Sequence, residues 1–271
     1  MVTVKVTPLF YKRGNFMKKL DRSNSDDAKL CALLKESLLN EKEAYDYVQK
    51  TMAYNSNFID GNFLTFEQVE SLYNTGSIST REGSMQAKSL AEIQGHFSAF
   101  NYLVGTLDEP LSEEIIKTFH YCLKTRVYEN HLNKFPVGEY KKFVNIVGEM
   151  QTVSPVEVST EVKELLERYS KEKVDLDSLV DFHTEFEMIH AFHDGTGVIG
   201  RLILFREALR NDICPFIIFG ASKECYIKAI EIAQQGDTTQ LRGLFQKEQS
   251  EYRDQLYTVL GLSLIHISEP T

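Results

Sequence analysis

Apolar side chains recur at helical spacing along most of the chain. Between residues 26 and 53 they lie three and four positions apart, with a polar break at residues 40–43, which predicts two helices. Thr65 and Gln68 have the spacing of a capping box, so they predict the start of another helix. The same periodicity predicts helices near residues 86–105, 112–127, 154–170, 177–192, 198 onward, 221–235 and 237–258. The pattern is that of a mainly α chain.

Two segments depart from this helical pattern. Residues 1–8 alternate valine with polar residues, which predicts a strand. The segment lacks the continuous apolar core of a signal peptide. Residues 133–155 combine turn-forming proline and glycine with β-branched side chains, which predicts a small β-hairpin. The expected fold is therefore mainly α with one β excursion.

Composition narrows the class of protein. With 271 residues and 42% apolar side chains, the chain can build one domain or two closely packed ones. A net charge of -9 without a basic stripe argues against nucleic-acid binding. No apolar stretch approaches the roughly 20 residues that span a bilayer, so a membrane segment is not expected. The four cysteines are scattered without CxxC pairs, so neither a zinc site nor a disulfide framework is expected, and a reducing cytoplasm fits best. The histidines outside residues 190–197 also lack the spacing of a metal site.

The last ten residues, LSLIHISEPT, break from the helical pattern before them. They can be encoded by a transposon sequencing-adaptor sequence. We expect that residues 262–271 are an assembly artefact and that the natural protein continues beyond Gly261. The alternative is a short native tail, and the nucleotide sequence distinguishes the two.

Candidate chemistry lies in the turn between two predicted helices, in the segment His190-Ala-Phe-His-Asp-Gly-Thr-Gly. Free N–H groups at a helix start, approached through glycines, form an anion site. Arg201, one turn into the next helix, can bind phosphate oxygens, and Asp194 is placed to hold Mg²⁺. His190 would take a proton from a hydroxyl group. On these residues alone, an ordinary connection between two helices remains the alternative.

The order of these residues resembles the Fic-family signature HxFx(D/E)GNGRxxR. The resemblance implies that His190 is the general base, that Asp194 is the Mg²⁺ ligand and that Arg201 is a catalytic clamp on the γ-phosphate of ATP. It further implies a buried anchor at Phe192 and nucleotide-binding residues at Gly195, Thr196, Gly197, Gly200 and Arg201. Two positions depart from the signature, because Thr196 replaces asparagine and Val198 replaces arginine. The loss of one such charge partner can cost about 100-fold in rate.

A second segment, Ser56-Asn-Phe-Ile-Asp-Gly-Asn62, resembles the inhibitory motif (S/T)xxxE(G/N) of Fic proteins. The resemblance implies inhibitory roles for Ser56, Asp60 and Gly61, with Asp60 paired to Arg201. Aspartate is shorter than the family's glutamate, so a looser brake is expected. The alternative is a simple turn before the capped helix.

A third segment, within residues 136–148, resembles the family's flap, with Lys141 in place of the usual arginine. The resemblance implies that the flap aligns a target segment by strand addition, with the target hydroxyl near His190. The residues expected to bind the target are Gly138, Tyr140, Lys141, Val144 and Ile146. An ordinary surface hairpin is the alternative.

The three resemblances imply a Fic-type helical domain with a small β-hairpin flap over the active site. We expect an N-terminal region at 1–84 with the inhibitory helix and a Fic core at 85–261. The expected function is transfer of AMP from ATP to a Ser, Thr or Tyr hydroxyl of a target protein, with Mg²⁺. Three alternatives stay open: a weak or inactive nucleotide-binding module, an enzyme that removes AMP, and one that transfers another phosphate-containing group. Self-modification and homo-oligomer formation also stay open.

Overall fold

Helices form most of the chain that the computed structural model describes, namely residues 24–78, 85–147, 150–171 and 173–262. The helices are α1 (Asn24–Asn40), α2 (Lys42–Ile59), α3 (Phe66–Thr75), α4 (Ala87–Gly105), α5 (Glu113–Lys124), α6 (Tyr128–Leu132), α7 (Val158–Lys171), α8 (Leu176–Ile189), α9 (Thr196–Arg210), α10 (Lys223–Ala233) and α11 (Thr239–Val259). The mainly α prediction is confirmed.

Local capping explains several helix starts. Thr65 accepts a hydrogen bond from the backbone N–H of Gln68, whose side chain accepts one from the backbone of Thr65, so the predicted capping box is present. Asp175 caps α8 in the same way through Ser178. The five-residue helix α6 was not predicted, because a single turn carries too little periodicity to detect.

Helix α9 forms the centre of the fold. Its residues from Val198 to Leu209 are all buried, so it is surrounded by other elements on every side. The charged residues that it carries are paired: Arg206 contacts Glu207 and donates to the carbonyl of Glu109 at 2.7 Å. Because α9 is fixed in this way, the residues of its first turns occupy defined positions.

A second, smaller core lies where α2, α3 and α4 meet. It is formed by Ala53, Leu64, Val69, Leu72 and Ile93. Helix α2 also contributes Val48 and Met52 to the main core, so its C-terminal turn is held from two sides. The predicted boundary at residue 84 stays a prediction, since residues 79–84 lie outside the described part of the chain.

The segment predicted as a hairpin contains one short pair of strands. Strands β1 (Ile146–Val147) and β2 (Met150–Gln151) pair antiparallel, with Ile146 opposite Gln151. A role for this pair as a flap over the active site stays a prediction. The predicted strand at residues 1–8 and nearly all of the tail, from residue 263 on, lie outside the described residues. Within the described ranges, no helix is both long and apolar enough to cross a membrane.

Candidate active site

The turn between α8 and α9 places the signature residues at the two helix ends. His190 ends α8 in the left-handed conformation, with φ 49° and ψ 62°, and its N–H bonds to the carbonyl of Phe186. Gly195, with φ 92°, precedes the first residue of α9. A left-handed conformation favours glycine, which explains that residue in the motif. The turn thus brings His190 and the start of α9 together.

The His190 imidazole is partly buried, and its Nδ1 has no hydrogen-bond partner among the described residues. Burial, reinforced by the nearby charge of Lys141, lowers the pKa of His190 to about 4. The ring is therefore neutral at pH 7, which is the state in which an imidazole can accept a proton.

Thr196 stands where the signature has asparagine, and it forms a hydrogen bond within the turn. Its Oγ1 accepts a hydrogen bond from the backbone N–H of Phe192 at 3.3 Å. Phe192 is fully buried and stacks on His120, with ring centroids 4.1 Å apart, as expected of an anchor. The buried threonine therefore holds the turn.

Gly200 allows α8 and α9 to approach each other. A Cβ atom there would lie 2.6 Å from Oε1 of Glu187 and 2.8 Å from Cε1 of His183. His183 of α8 is buried, and Glu187 of α8 is partly buried. Gly200 therefore serves packing in this structure, and contact with a nucleotide at this residue stays a prediction.

Arg201 is tied to the C-terminal turn of α2. Its guanidinium donates to Asp60 Oδ1 at 2.6 Å, to Ser56 Oγ at 2.9 Å and to the Ser56 carbonyl at 3.0 Å. Burial alone would lower the pKa of Arg201, but Asp60 and Tyr226 raise it above its ordinary value. Gly61 follows in the left-handed conformation and ends the segment. The two motifs, 141 residues apart in sequence, meet at one ion pair.

Asp194 is bonded to lysine. The Lys124 ammonium lies 2.8 Å from Asp194 Oδ2 and 2.9 Å from Glu92 Oε1, and Lys88 lies 3.5 Å from Asp194 Oδ2. Burial would raise the pKa of Asp194, but Lys124 and Lys88 lower it to about 2. The carboxylate is therefore ionised and already neutralised by two cations.

These contacts bear on the predicted Mg²⁺ site. Among the described residues, no group of three or more His, Cys, Asp or Glu side chains can hold a metal ion. Mg²⁺ needs only one or two carboxylates when phosphates complete its shell, but it needs their oxygens free. Because Lys124 is bonded to Asp194 Oδ2 and Glu92 Oε1 at once, these two oxygens as arranged do not fit the ion.

An open cleft with a volume of about 110 Å³ lies beside this cluster. Its walls come from the end of α2, the start of α4, the end of α5 and the first turn of α9. They include Asn57, Asp60, Asn62, Lys88, Ser89, Glu92, Lys124, Asp194 and Val198. The cleft joins the predicted inhibitory segment to the predicted nucleotide-binding turn.

The predicted flap segment is attached to the turn. The Gly138 N–H donates to Nδ1 of His120, and the Lys141 N–H donates to the carbonyl of Ala191. The Lys141 side chain is buried and donates to Thr152 at 2.7 Å and to the Ile189 carbonyl at 3.3 Å. Lys141 thus faces inward.

Other predicted flap residues differ in exposure. Tyr140 is partly buried beneath Lys117, whose ammonium lies 4.3 Å from the ring centroid. Val144 is exposed and can contact another chain. Ile146 lies in β1.

Sequence reasoning missed Lys88, Glu92 and Lys124. Lys124 is the last residue of α5, where a basic side chain ordinarily faces solvent and interacts with the helix dipole. The i,i+4 spacing of Lys88 and Glu92 is a signal of pairing in the sequence. Only the packing of α4 and α5 against the turn brings these side chains to Asp194.

Comparison with known proteins gives this arrangement a family. A model of the Fic/DOC family matches residues 110–207, which include α5, the hairpin, α8 and the turn with most of α9. This match supports the Fic family assignment over residues 110–207. A probable protein adenylyltransferase of Aquifex aeolicus is 27% identical over 138 residues. That alignment covers 49% of this chain and 42% of the relative, so the chain spans less than half of the curated protein.

Solved structures share the Fic fold over more of the chain. A Fic-domain signaling protein of Bacteroides thetaiotaomicron superposes with a TM-score of 0.65 at 21% identity, covering 87% of this chain and 95% of that protein. Residues 134–508 of Fic-1 from C. elegans superpose with a TM-score of 0.68 at 16% identity, covering 88% and 73%. At these identities the likeness establishes the fold alone.

Proposed function

We propose that this Fic protein transfers AMP from ATP to a Ser, Thr or Tyr hydroxyl of a target protein and that it is autoinhibited through Asp60 and Arg201. The ion pair between Asp60 and Arg201 carries the proposal. Asp60 is bonded to the arginine that the family resemblance assigns to the γ-phosphate, so a nucleotide that uses this arginine would have to displace Asp60. The name of the Aquifex aeolicus relative supports the same chemistry.

In the proposed reaction, the target hydroxyl oxygen attacks the α-phosphorus of ATP. A bond forms between that oxygen and phosphorus, the bond to the bridging oxygen breaks, and pyrophosphate leaves with the electron pair. His190 takes the hydroxyl proton, for which its neutral ring is suited. The backbone N–H groups at the start of α9 and the Arg201 guanidinium stabilise phosphate charge. Because Lys124 is bonded to Asp194, the proposal contains no metal-dependent step.

The proposed brake acts by occupying Arg201. The guanidinium donates three hydrogen bonds to Ser56 and Asp60, so it cannot also bind a γ-phosphate in the productive geometry. Activity would then require that the end of α2 moves or that the ion pair between Asp60 and Arg201 breaks.

The test is the appearance of an AMP adduct that depends on His190. The wild-type protein, Asp60→Ala and the double variant Asp60→Ala/His190→Ala are incubated with ATP, with and without Mg²⁺, alone and in a cell lysate. Intact-mass and peptide mass spectrometry then report the addition of AMP. We expect the adduct in Asp60→Ala and its loss in the double variant. Labelling that persists without His190 would refute the proposed role of that base.

A non-catalytic nucleotide-binding module is the second candidate. Thr196 and Val198 favour it, because the signature's asparagine and first arginine are both missing. A module would bind ATP and give no adduct in any variant. The mass spectra also separate AMP removal and transfer of another group, since each changes the target mass differently.

The target is proposed to dock at the hairpin, where the strands are short and Val144 is exposed. Because the Lys141 side chain is turned inward, it would hold the hairpin against the turn rather than contact the target. Crosslinking from an engineered cysteine at Val144 during the reaction would test this position.

A further inference from the structure

The arrangement around Asp194 contains a cation supplied by the protein itself. The Lys124 ammonium lies between two carboxylates from separate elements, Glu92 of α4 and Asp194 of the turn, at 2.9 and 2.8 Å. An arrangement in which two carboxylate oxygens point at one cation also suits a divalent ion. Here the cation is a lysine ammonium.

Lys124 is fixed in this position. Its side chain is only 5% exposed, and its Cε packs against the backbone of Gly195, where an added Cβ would lie 2.8 Å away. Moving the ammonium would strand a buried charge and leave the two carboxylates facing each other, which is costly. A metal ion that used both Asp194 Oδ2 and Glu92 Oε1 would have to displace this ammonium.

Lys88 differs from Lys124 in its freedom to move. It is 40% exposed and lies 3.6 Å from Glu92 and 3.5 Å from Asp194, so its contacts are longer. It faces the cleft that also contains Asn57, Asn62 and Ser89, whose amide and hydroxyl groups can donate to oxygen atoms. A lysine at the edge of a polar cleft can turn to an anionic ligand while Lys124 stays bonded to Asp194 and Glu92.

We propose that Lys124 is the resident cation of Asp194, occupying the place from which a divalent ion would bind, and that Lys88 binds the polyphosphate of the nucleotide in the adjacent cleft. This second step rests on the proposed function, because it takes ATP as the ligand. Nucleotide binding by this chain would then not require Mg²⁺. The disagreement between the family's expected metal ligand and the bonds of Asp194 motivates the proposal.

The first experiment uses Mn²⁺ alone as the probe and needs no nucleotide. Binding is measured by electron paramagnetic resonance and by the rise in Tm that a ligand of the folded state causes. Wild-type protein should bind no Mn²⁺ at millimolar concentration. Lys124→Met should bind one ion per chain, and Lys124→Met/Glu92→Gln should bind about tenfold more weakly because it has one carboxylate fewer. Lys88→Met, which keeps Lys124 in place, is the matched control and should bind none.

Three results would overturn the assignment of Lys124. The first is Mn²⁺ binding by the wild type that disappears in Asp194→Asn. The second is a folded Lys124→Met protein that binds no Mn²⁺. The third is Mn²⁺ binding by Lys88→Met equal to that of Lys124→Met. None of these depends on AMP transfer, so they test the cation even if the proposed function fails.

The second experiment measures ATP affinity and does not depend on the folding of a Lys124 variant. In the Asp60→Ala background, the Kd for ATP with excess EDTA should agree within about twofold with the Kd in Mg²⁺, and Lys88→Met should weaken it about tenfold. A tenfold loss of affinity in EDTA would overturn the proposal. If ATP does not bind in either buffer, the proposed function and the role of Lys88 both fail, while the Mn²⁺ result decides the role of Lys124.

Discussion

Removal of the Asp60 carboxylate should release Arg201 and raise the rate of AMP transfer. The Asp60→Ala change removes the 2.6 Å bond to Arg201 and leaves the two bonds from Ser56 in place. A hydrogen bond between charged groups contributes about 1.5 to 3 kcal/mol. Asp60 is 34% exposed, so solvent screening reduces this to about 1 to 1.5 kcal/mol.

The loss of this stabilisation of the Asp60–Arg201 pair should raise the rate of AMP incorporation. Since 1.4 kcal/mol is a factor of ten, the fraction of molecules with a free Arg201 should rise about fivefold to tenfold. The rate of AMP incorporation, followed by intact mass at saturating ATP, should rise by the same factor. Adding Ser56→Ala, which removes the 2.9 Å bond, should raise it further.

The control is Asp177→Ala, which removes an exposed ion pair with Arg242 on another part of the surface. It should leave the rate unchanged. The reasoning would be refuted if Asp60→Ala kept its Tm and yet labelled no faster than Asp177→Ala. A slower rate in Asp60→Ala would mean that Asp60 assists the reaction instead of restraining it.

Three further predictions follow from packing and charge. Gly200→Ala should destabilise the protein by about 1 to 3 kcal/mol in urea unfolding, because its Cβ would collide with α8. Gly243→Ala is the control and should not destabilise, because the space around Gly243 is open. Equal effects of the two substitutions would contradict this account. Val198→Arg adds a cation to the cleft and should raise the rate of AMP incorporation about 100-fold if the missing arginine limits that rate. Val198→Leu is the control and should not raise it. Equal rates for the two variants would refute the idea that the missing arginine limits the reaction. The free energy of unfolding should fall by about 4 kcal/mol from pH 6.5 to 5.5, about 1 kcal/mol for each of four histidines that burial holds neutral in the folded state. Burial lowers their folded pKa values to about 3 or 4, so protons bind the unfolded chain, with pKa about 6.5, in preference. A flat urea series across this range would contradict this account. Those histidines are His96, His120, His183 and His190.

Much of the fold could be read from local pattern. The capping box at Thr65 and the break between α1 and α2 depend on neighbouring residues, so the sequence alone predicts them. The meeting of Asp60 with Arg201 also followed from the sequence, but only through resemblance to a family, since no local rule joins residues so far apart. The short strands near Ile146 were predicted over too long a range, because turn residues mark the segment without fixing how much of it pairs.

The charge environment of Asp194 could not be predicted. Lys124 and Glu92 lie on different helices, and their approach to the turn depends on how α4 and α5 pack together. A lysine in a sequence gives no sign of whether its ammonium is solvated or buried. The same holds for Lys141, which the sequence placed in a target-binding flap and the structure buries against Thr152.

The two charged residues expected to meet the nucleotide are both already bonded, and to different partners. Arg201 is held by α2 through Asp60, while Asp194 is held by α5 through Lys124. Both cations are 5% exposed, and their acids Asp60 and Asp194 are 34% and 41% exposed, but Lys124 is also bonded to Glu92. An anionic ligand that binds Arg201 would compete with Asp60. Under the proposed autoinhibition, the end of α2 is therefore the contact whose movement would change the activity.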